Sequence, residues 1–177
     1  MRRFLDRLYA ASGAAAAVCL AGIAAVMLAQ AALRQIGVLF RGADDIVAWL
    51  CAASAFFALA YTFRHGELVR VGLLIERLPR RARWHAETGC LAVALVTVGY
   101  IAWAAALFVY ESWQFRELAQ GLIRIPIWIP QMSFVLGAFV LLIAVLDDLV
   151  RHVAGRPASY LAAEAARRAQ ADFSDRP

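Results

Sequence analysis

Thr88–Tyr110 reads TGCLAVALVTVGYIAWAAALFVY, twenty-three residues without one charged side chain. A helix rises about 1.5 Å per residue, so roughly 20 apolar residues cross a hydrocarbon layer ~30 Å thick. Lipid offers no partner to exposed backbone groups, and a helix closes its own hydrogen bonds internally. Three more uncharged runs accompany this one, at 8–33, 46–63 and 125–146, with 26, 18 and 22 residues. The four together cover 89 of 177 residues, half the chain. The fold class expected is an all-α integral membrane protein with four transmembrane helices, at about 9–33, 46–63, 87–110 and 128–149. They form a single four-span domain over 1–155, followed by a cytoplasmic tail over 156–177.

The charge pattern sets the orientation. Hydrophobic residues make up 63% of the chain and all 18 basic residues are arginine, for a net charge of +5. Fourteen arginines fall in the N-terminus, in residues 64–87 or in residues 151–177, leaving Arg34, Arg41, Arg116 and Arg124 for the other connections. Positive charge is retained on the cytoplasmic side, which places both termini and the middle connection there. This distribution accounts for the basic balance without nucleic acid as a partner. Cys19, Cys51 and Cys90 sit in or beside different spans with no C-x-x-C pair, so they read as small packing residues.

The first run has two readings. Arg2 and Arg3, a long apolar stretch and Ala29-Gln30-Ala31 resemble a signal peptide, but secretory apolar cores span only roughly 7–15 residues. The length favours a retained anchor. Gly13, Ala17, Ala21, Ala25 and Ala29 recur every fourth position, a stripe that would let another helix approach closely.

The connections carry the other candidates. Asp44 and Asp45 open the second span, where carboxylates suit the positive end of the helix dipole. Leu68, Val71, Leu74, Ile75 and Leu78 cluster on one helical face, predicting a cytoplasmic amphipathic surface helix over about 66–79 that ends at Pro79. Arg80, Arg81 and Arg83 then meet membrane lipid headgroups or fix the topology. Trp84 and Trp113 bracket the third span about 43 Å apart as aromatic-belt anchors. Ile125-Pro126-Ile127-Trp128-Ile129-Pro130-Gln131 predicts an extended or kinked lip, with regular helix from near Pro130.

An ion path or proton relay calls for ionisable residues inside the spans, and the uncharged runs hold none. His65, His85 and His152 lie at the cytoplasmic edge rather than where a haem would be ligated. The expectation is a partner protein rather than an enzyme, with no cofactor, no metal and no catalytic residue.

Several fragments then add up. They are Gly42-Ala43-Asp44-Asp45, Ala60-Tyr61-x-x-Arg64-x-Gly66-Glu67-x-x-Arg70-Val71, Leu78-Pro79-x-Arg81, and Pro126-x-Trp128-Ile129-Pro130-Gln131 with Gly137 beyond. In this order against four spans, the chain resembles the small membrane (DctQ-type) subunit of tripartite ATP-independent periplasmic (TRAP) transporters, over about residues 10–155. It departs from that pattern at Leu68 and Gly72, where histidine and aspartate are common. The resemblance implies a multi-pass protein of the bacterial inner membrane, acting as a scaffold in the uptake of an organic anion. Its partners would be a large TRAP membrane subunit and a periplasmic substrate-binding protein. Asp44, Asp45, Arg64, Arg70, Pro126, Trp128, Pro130 and Gln131 become the candidate partner-interface residues. Two rivals stay open: a membrane redox or enzyme subunit with an unseen cofactor, and a stand-alone homo-oligomeric carrier.

Overall fold

The helices run past the uncharged runs at most of their ends. The computed structural model describes residues 2–65 and 79–155. Its helices are α1 (Arg2–Gln35), α2 (Ala43–His65), α3 (Arg80–Gln114) and α4 (Trp128–Val153), each long and apolar enough to cross a membrane. Among the described residues the only extended pairing is one isolated bridge, Leu118 with Pro126. The amphipathic segment predicted at 66–79 lies outside the described residues, save for Pro79, the N-cap of α3.

The added turns have a simple cause. Hydrocarbon limits where charges can sit, not where a helix can continue, and Arg, Glu and Ala are good helix formers. Arg83 and Glu87 form an i,i+4 ion pair at 2.8 Å on such a turn of α3. The helices end by local devices. Gly37, with φ 77°, closes α1: its N–H bonds Arg34 O and the N–H of Val38 bonds Leu33 O. Arg116, with φ 50°, closes α3 in the same way through Trp113 O and, from Glu117, Ser112 O.

Neighbours in space follow the order α1–α2–α4–α3, with α1 touching α4 marginally. Helices α1 and α3 therefore flank a central α2–α4 pair. Gly137 of α4 lets α2 come close, since a Cβ there would meet the Phe56 backbone at 2.7 Å. Next to it, Phe56 and Phe134 have ring centroids 5.1 Å apart. The Ser12 hydroxyl of α1 donates to the Phe57 carbonyl of α2 at 2.6 Å. Tyr9, Ala60, Phe63, Leu91, Ala144 and Val145 form the buried core.

The small-residue stripe does not mediate this packing. Gly13 abuts the Tyr61 ring, but Ala17, Ala21, Ala25 and Ala29 are exposed. The α1 surface facing α2 is instead marked by Ser12, Ala16 and Gly22, because a 3.6-residue turn carries every fourth position gradually off one face. The start of α1, the end of α2, the start of α3 and the end of α4 share what we term the basic end. The connections 36–42 and 115–127 share the loop end.

Candidate functional site

Polar chemistry is concentrated at these two ends. At the loop end, α2 opens on Ala43, with Asp44 and Asp45 in its first turn. Asp45 serves a different strand of the chain. Its Oδ2 accepts the N–H of Leu122 at 2.8 Å and that of Ile123 at 3.3 Å. A carboxylate at a helix N-terminus is favoured by the dipole, and two backbone donors add charge-assisted bonds. The loop fits around it: a Cβ on Gly121 would fall onto the Asp45 carboxylate. Gly42, with φ 86°, adopts a left-handed turn that places Ile123 where its own Cβ would stand. Asp44 is exposed, and its carboxylate accepts from the Gln30 amide at 3.4 Å.

The 115–127 connection is a short hairpin, so of the 125–131 stretch expected to form an extended or kinked lip only the part up to Pro126 is extended, and helix begins at Trp128 rather than near Pro130. Ala119 N–H bonds Ile125 O at 2.9 Å and Ile127 N–H bonds Glu117 O at 3.0 Å. The Ser112 hydroxyl donates to Glu117 Oε2 at 3.1 Å. Pro126 is exposed within this hairpin, and α4 starts two residues later at Trp128. Pro130 lies in the first turn of α4, where a missing N–H costs nothing because that donor has no helical partner. Gln131 is 4% exposed, and among the described residues its Oε1 has no hydrogen-bond donor. Trp128 instead joins Tyr110, Trp113 and Met132 in lining an apolar groove of about 360 Å³ between α3 and α4.

At the basic end, charges meet charges. Arg64 of α2 pairs with Asp6 of α1 and lies 4.0 Å from Asp147 of α4. Its guanidinium also sits 4.8 Å from the centroid of the buried Tyr9 ring, a cation–π arrangement. Asp148, beside Asp147, is 1% exposed. One turn further, His152 stacks on Trp84 at 5.9 Å between centroids, with Nδ1 3.7 Å from Glu87 Oε2. Glu87 receives Arg83 from its other side. One network thus joins α1, α2 and α4, and the second joins α3 to α4.

Of the residues singled out from the sequence, Asp45 is brought to the hairpin leading to Pro126 and Trp128, while Arg64 sits at the other end. Arg70 lies outside the described residues. Arg80, Arg81 and Arg83 occupy the first turn of α3, where positive charge opposes the dipole, so capping does not explain them. Trp113 is 60% exposed, and Trp84, 43% exposed, also packs on His152. The sequence reading missed Asp6, Tyr9, Glu87, Asp148 and His152 as a group. A signal for three of the linkers was present: Asp6, Arg64 and Asp147 are each among the first charges beyond an uncharged run, at the same membrane face. Among the described residues, no three His, Cys, Asp or Glu side chains gather as a metal site would require.

With the geometry in place, comparison with known proteins adds one finding. The family model described as tripartite ATP-independent periplasmic transporters, DctQ component, matches residues 23–155. No curated protein matches the chain.

Proposed function

Because this chain belongs to the DctQ component family of tripartite ATP-independent periplasmic transporters, we propose that it is a scaffold subunit that binds no substrate itself. In this reading it holds a large permease subunit in the bacterial inner membrane, with both termini cytoplasmic, and helps dock a periplasmic binding protein that delivers an organic anion. The single observation that carries the reading is the Asp45 clamp. A carboxylate from one helix fixes the backbone of the hairpin before another, which gives the loop end a defined outer surface. Preorganisation of this kind lowers the ordering cost of binding.

Residue roles divide accordingly. Pro126 and the exposed hairpin residues Leu118 and Leu122 contact a partner, and Asp44 adds charge at the rim. Asp45 shapes that surface from behind, Gln131 supports it from inside, and Trp128 and Pro130 set where α4 begins. At the basic end, Arg64 and Arg70 orient the 66–79 segment against lipid or the permease, while Arg80, Arg81 and Arg83 meet headgroups. Residues 1–155 act as one unit and 156–177 form a cytoplasmic tail.

The test is a mild-detergent pull-down of the tagged chain from its native cells, with co-purifying proteins identified by mass spectrometry. A large multi-span permease in roughly equal amount is the expected result. Recovery of the chain alone would sink the scaffold reading. A double charge reversal, Arg64→Glu with Arg70→Glu, is expected to impair assembly or uptake, and normal complex yield and transport would count against the role given to those arginines.

A further inference from the structure

Exposed apolar side chains dominate the 36–42 connection. Ile36 is 71% and Leu39 79% exposed, with Val38 at 47%. Gly37, with φ 77°, turns the chain back beside the end of α1. Between helix and connection lies a cavity of about 700 Å³, lined by Met27, Gln30, Arg34 and Gln35 of α1 and by Val38 and Leu39.

This cavity straddles a boundary. Measured from the middle of the uncharged run 8–33, Arg34 stands ~20 Å along the helix axis and Met27 ~10 Å. The hydrocarbon half-thickness is ~15 Å, so Met27 lies among acyl chains and Arg34 among headgroups. Val38 and Leu39 line the same cavity, so the connection lies along this boundary. Its apolar side chains then meet acyl chains instead of water.

Arg34 brings a charge to the boundary without a counter-ion. It is exposed, and among the described residues no carboxylate pairs with it. Its place in the last turn of α1 suits the helix dipole, but that role needs no cavity. In the proposed orientation the loop end is also the side on which arginine does not serve topology. Among the described residues no carboxylate lines the cavity; Asp44 lies outside the lining and accepts from Gln30 at 3.4 Å. The lining thus offers one guanidinium and two carboxamides beside an apolar floor. A phosphate ester above its acyl chain is the complement of that arrangement. The ammonium group of a zwitterionic lipid finds no opposite charge in the lining.

We infer that the cavity between the end of α1 and the 36–42 connection binds an anionic phospholipid of the leaflet at the loop end. Arg34 pairs with the phosphate, Gln35 donates a second hydrogen bond, and an acyl chain runs down over Met27. The inference rests on α1 crossing the bilayer and is independent of the scaffold role.

Native mass spectrometry tests it on the full chain, purified in mild detergent with the subunits that accompany it. Equal phosphatidylglycerol and phosphatidylcholine are supplied, and the lipids retained are counted. The expected result is phosphatidylglycerol held in preference to phosphatidylcholine. Arg34→Gln should cut its retention about fivefold, the worth of one arginine at an anionic surface. Arg34→Lys, which keeps the charge, should retain most of the lipid. Arg124→Gln, at an exposed arginine of the hairpin away from the cavity, should retain all of it. Ala31→Trp, at an exposed position in the lining, fills the cavity without changing a charge and should displace the lipid. Equal retention of the two lipids marks an unspecific lipid shell and overturns the inference. Retention unchanged in both Arg34→Gln and Ala31→Trp, with unaltered thermal unfolding, does the same. A phosphate adduct in place of lipid, when inorganic phosphate is added in excess, identifies a free-anion site and overturns the lipid assignment.

Discussion

The two ends of the bundle are held by different physics. At the loop end one carboxylate, Asp45, grips backbone donors of a hairpin whose Gly121 leaves no room for a side chain. At the basic end, side-chain charges from all four helices pair across the bundle, and several are partly wet: Arg64 and Asp6 keep 23% and 52% side-chain exposure. A backbone clamp fixes a shape, because its geometry is dictated by peptide planes. A network of long charged side chains fixes proximity but tolerates rearrangement, and solvent screens it. The loop end is therefore the shaped surface and the basic end the fastening.

The sharpest way to break this comparison is Arg64→Glu. It replaces the shared cation of Asp6 and Asp147 with a further carboxylate, beside Tyr9 and near the buried Asp148. Destabilisation of about 2–3 kcal/mol is expected, below the full value for a buried pair because the site is half open. Thermal unfolding in mild detergent measures it, and a loss under about 0.5 kcal/mol would show the network to be ornamental.

Next in size is Asp45→Ala, which frees two backbone donors and should cost about 2 kcal/mol. Limited proteolysis within 115–127 should accelerate while the helices stay protected. Gly121→Ala should act through the same contact, since its methyl group displaces the carboxylate. The two changes together should therefore cost little more than one, and full additivity would refute the clamp.

Smaller again is His152→Ala, which removes the stack on Trp84 and the neighbour of Glu87, for about 1 kcal/mol. Salt sharpens the contrast. Raising it to ~1 M should shrink the Arg64→Glu effect and leave the Asp45→Ala effect nearly intact. Asp44→Ala should move stability by less than about 0.5 kcal/mol, since its bond to Gln30 is long and exposed. A larger loss would mean that both aspartates hold the loop.

The spans were legible because hydrocarbon imposes a length and forbids charge, a rule that acts on each run separately. Gly137 was marked only by the fragments that carry the family resemblance, and the prolines placed regular helix from near Pro130, two residues beyond the Trp128 where α4 begins. The partner of Asp45 could not be read this way. Leu122 and Ile123 offer backbone N–H groups, which every residue but proline possesses, so nothing in their side chains marks them. The alanine stripe of α1 misled because small residues are plentiful there, and repetition alone does not say which face another helix takes. Gln131 was placed on the rim by its neighbours Pro126 and Trp128, yet helical rotation from Trp128 turns it inward.

By itself the sequence determined that the chain forms four helices long and apolar enough to cross a membrane, and its fragments in order matched one transporter component family. Those properties depend on composition along a line: apolar length, charge position and motif order. Tertiary structure alone decided that α2 and α4 form the centre, that Asp45 holds the hairpin, and that Asp6, Arg64 and Asp147 meet. Each of these depends on how helices rotate about their axes and which neighbours they choose. That choice is made by close packing at places such as Gly137 against Phe56, where the fit of two surfaces, rather than the polarity of either, sets the free energy.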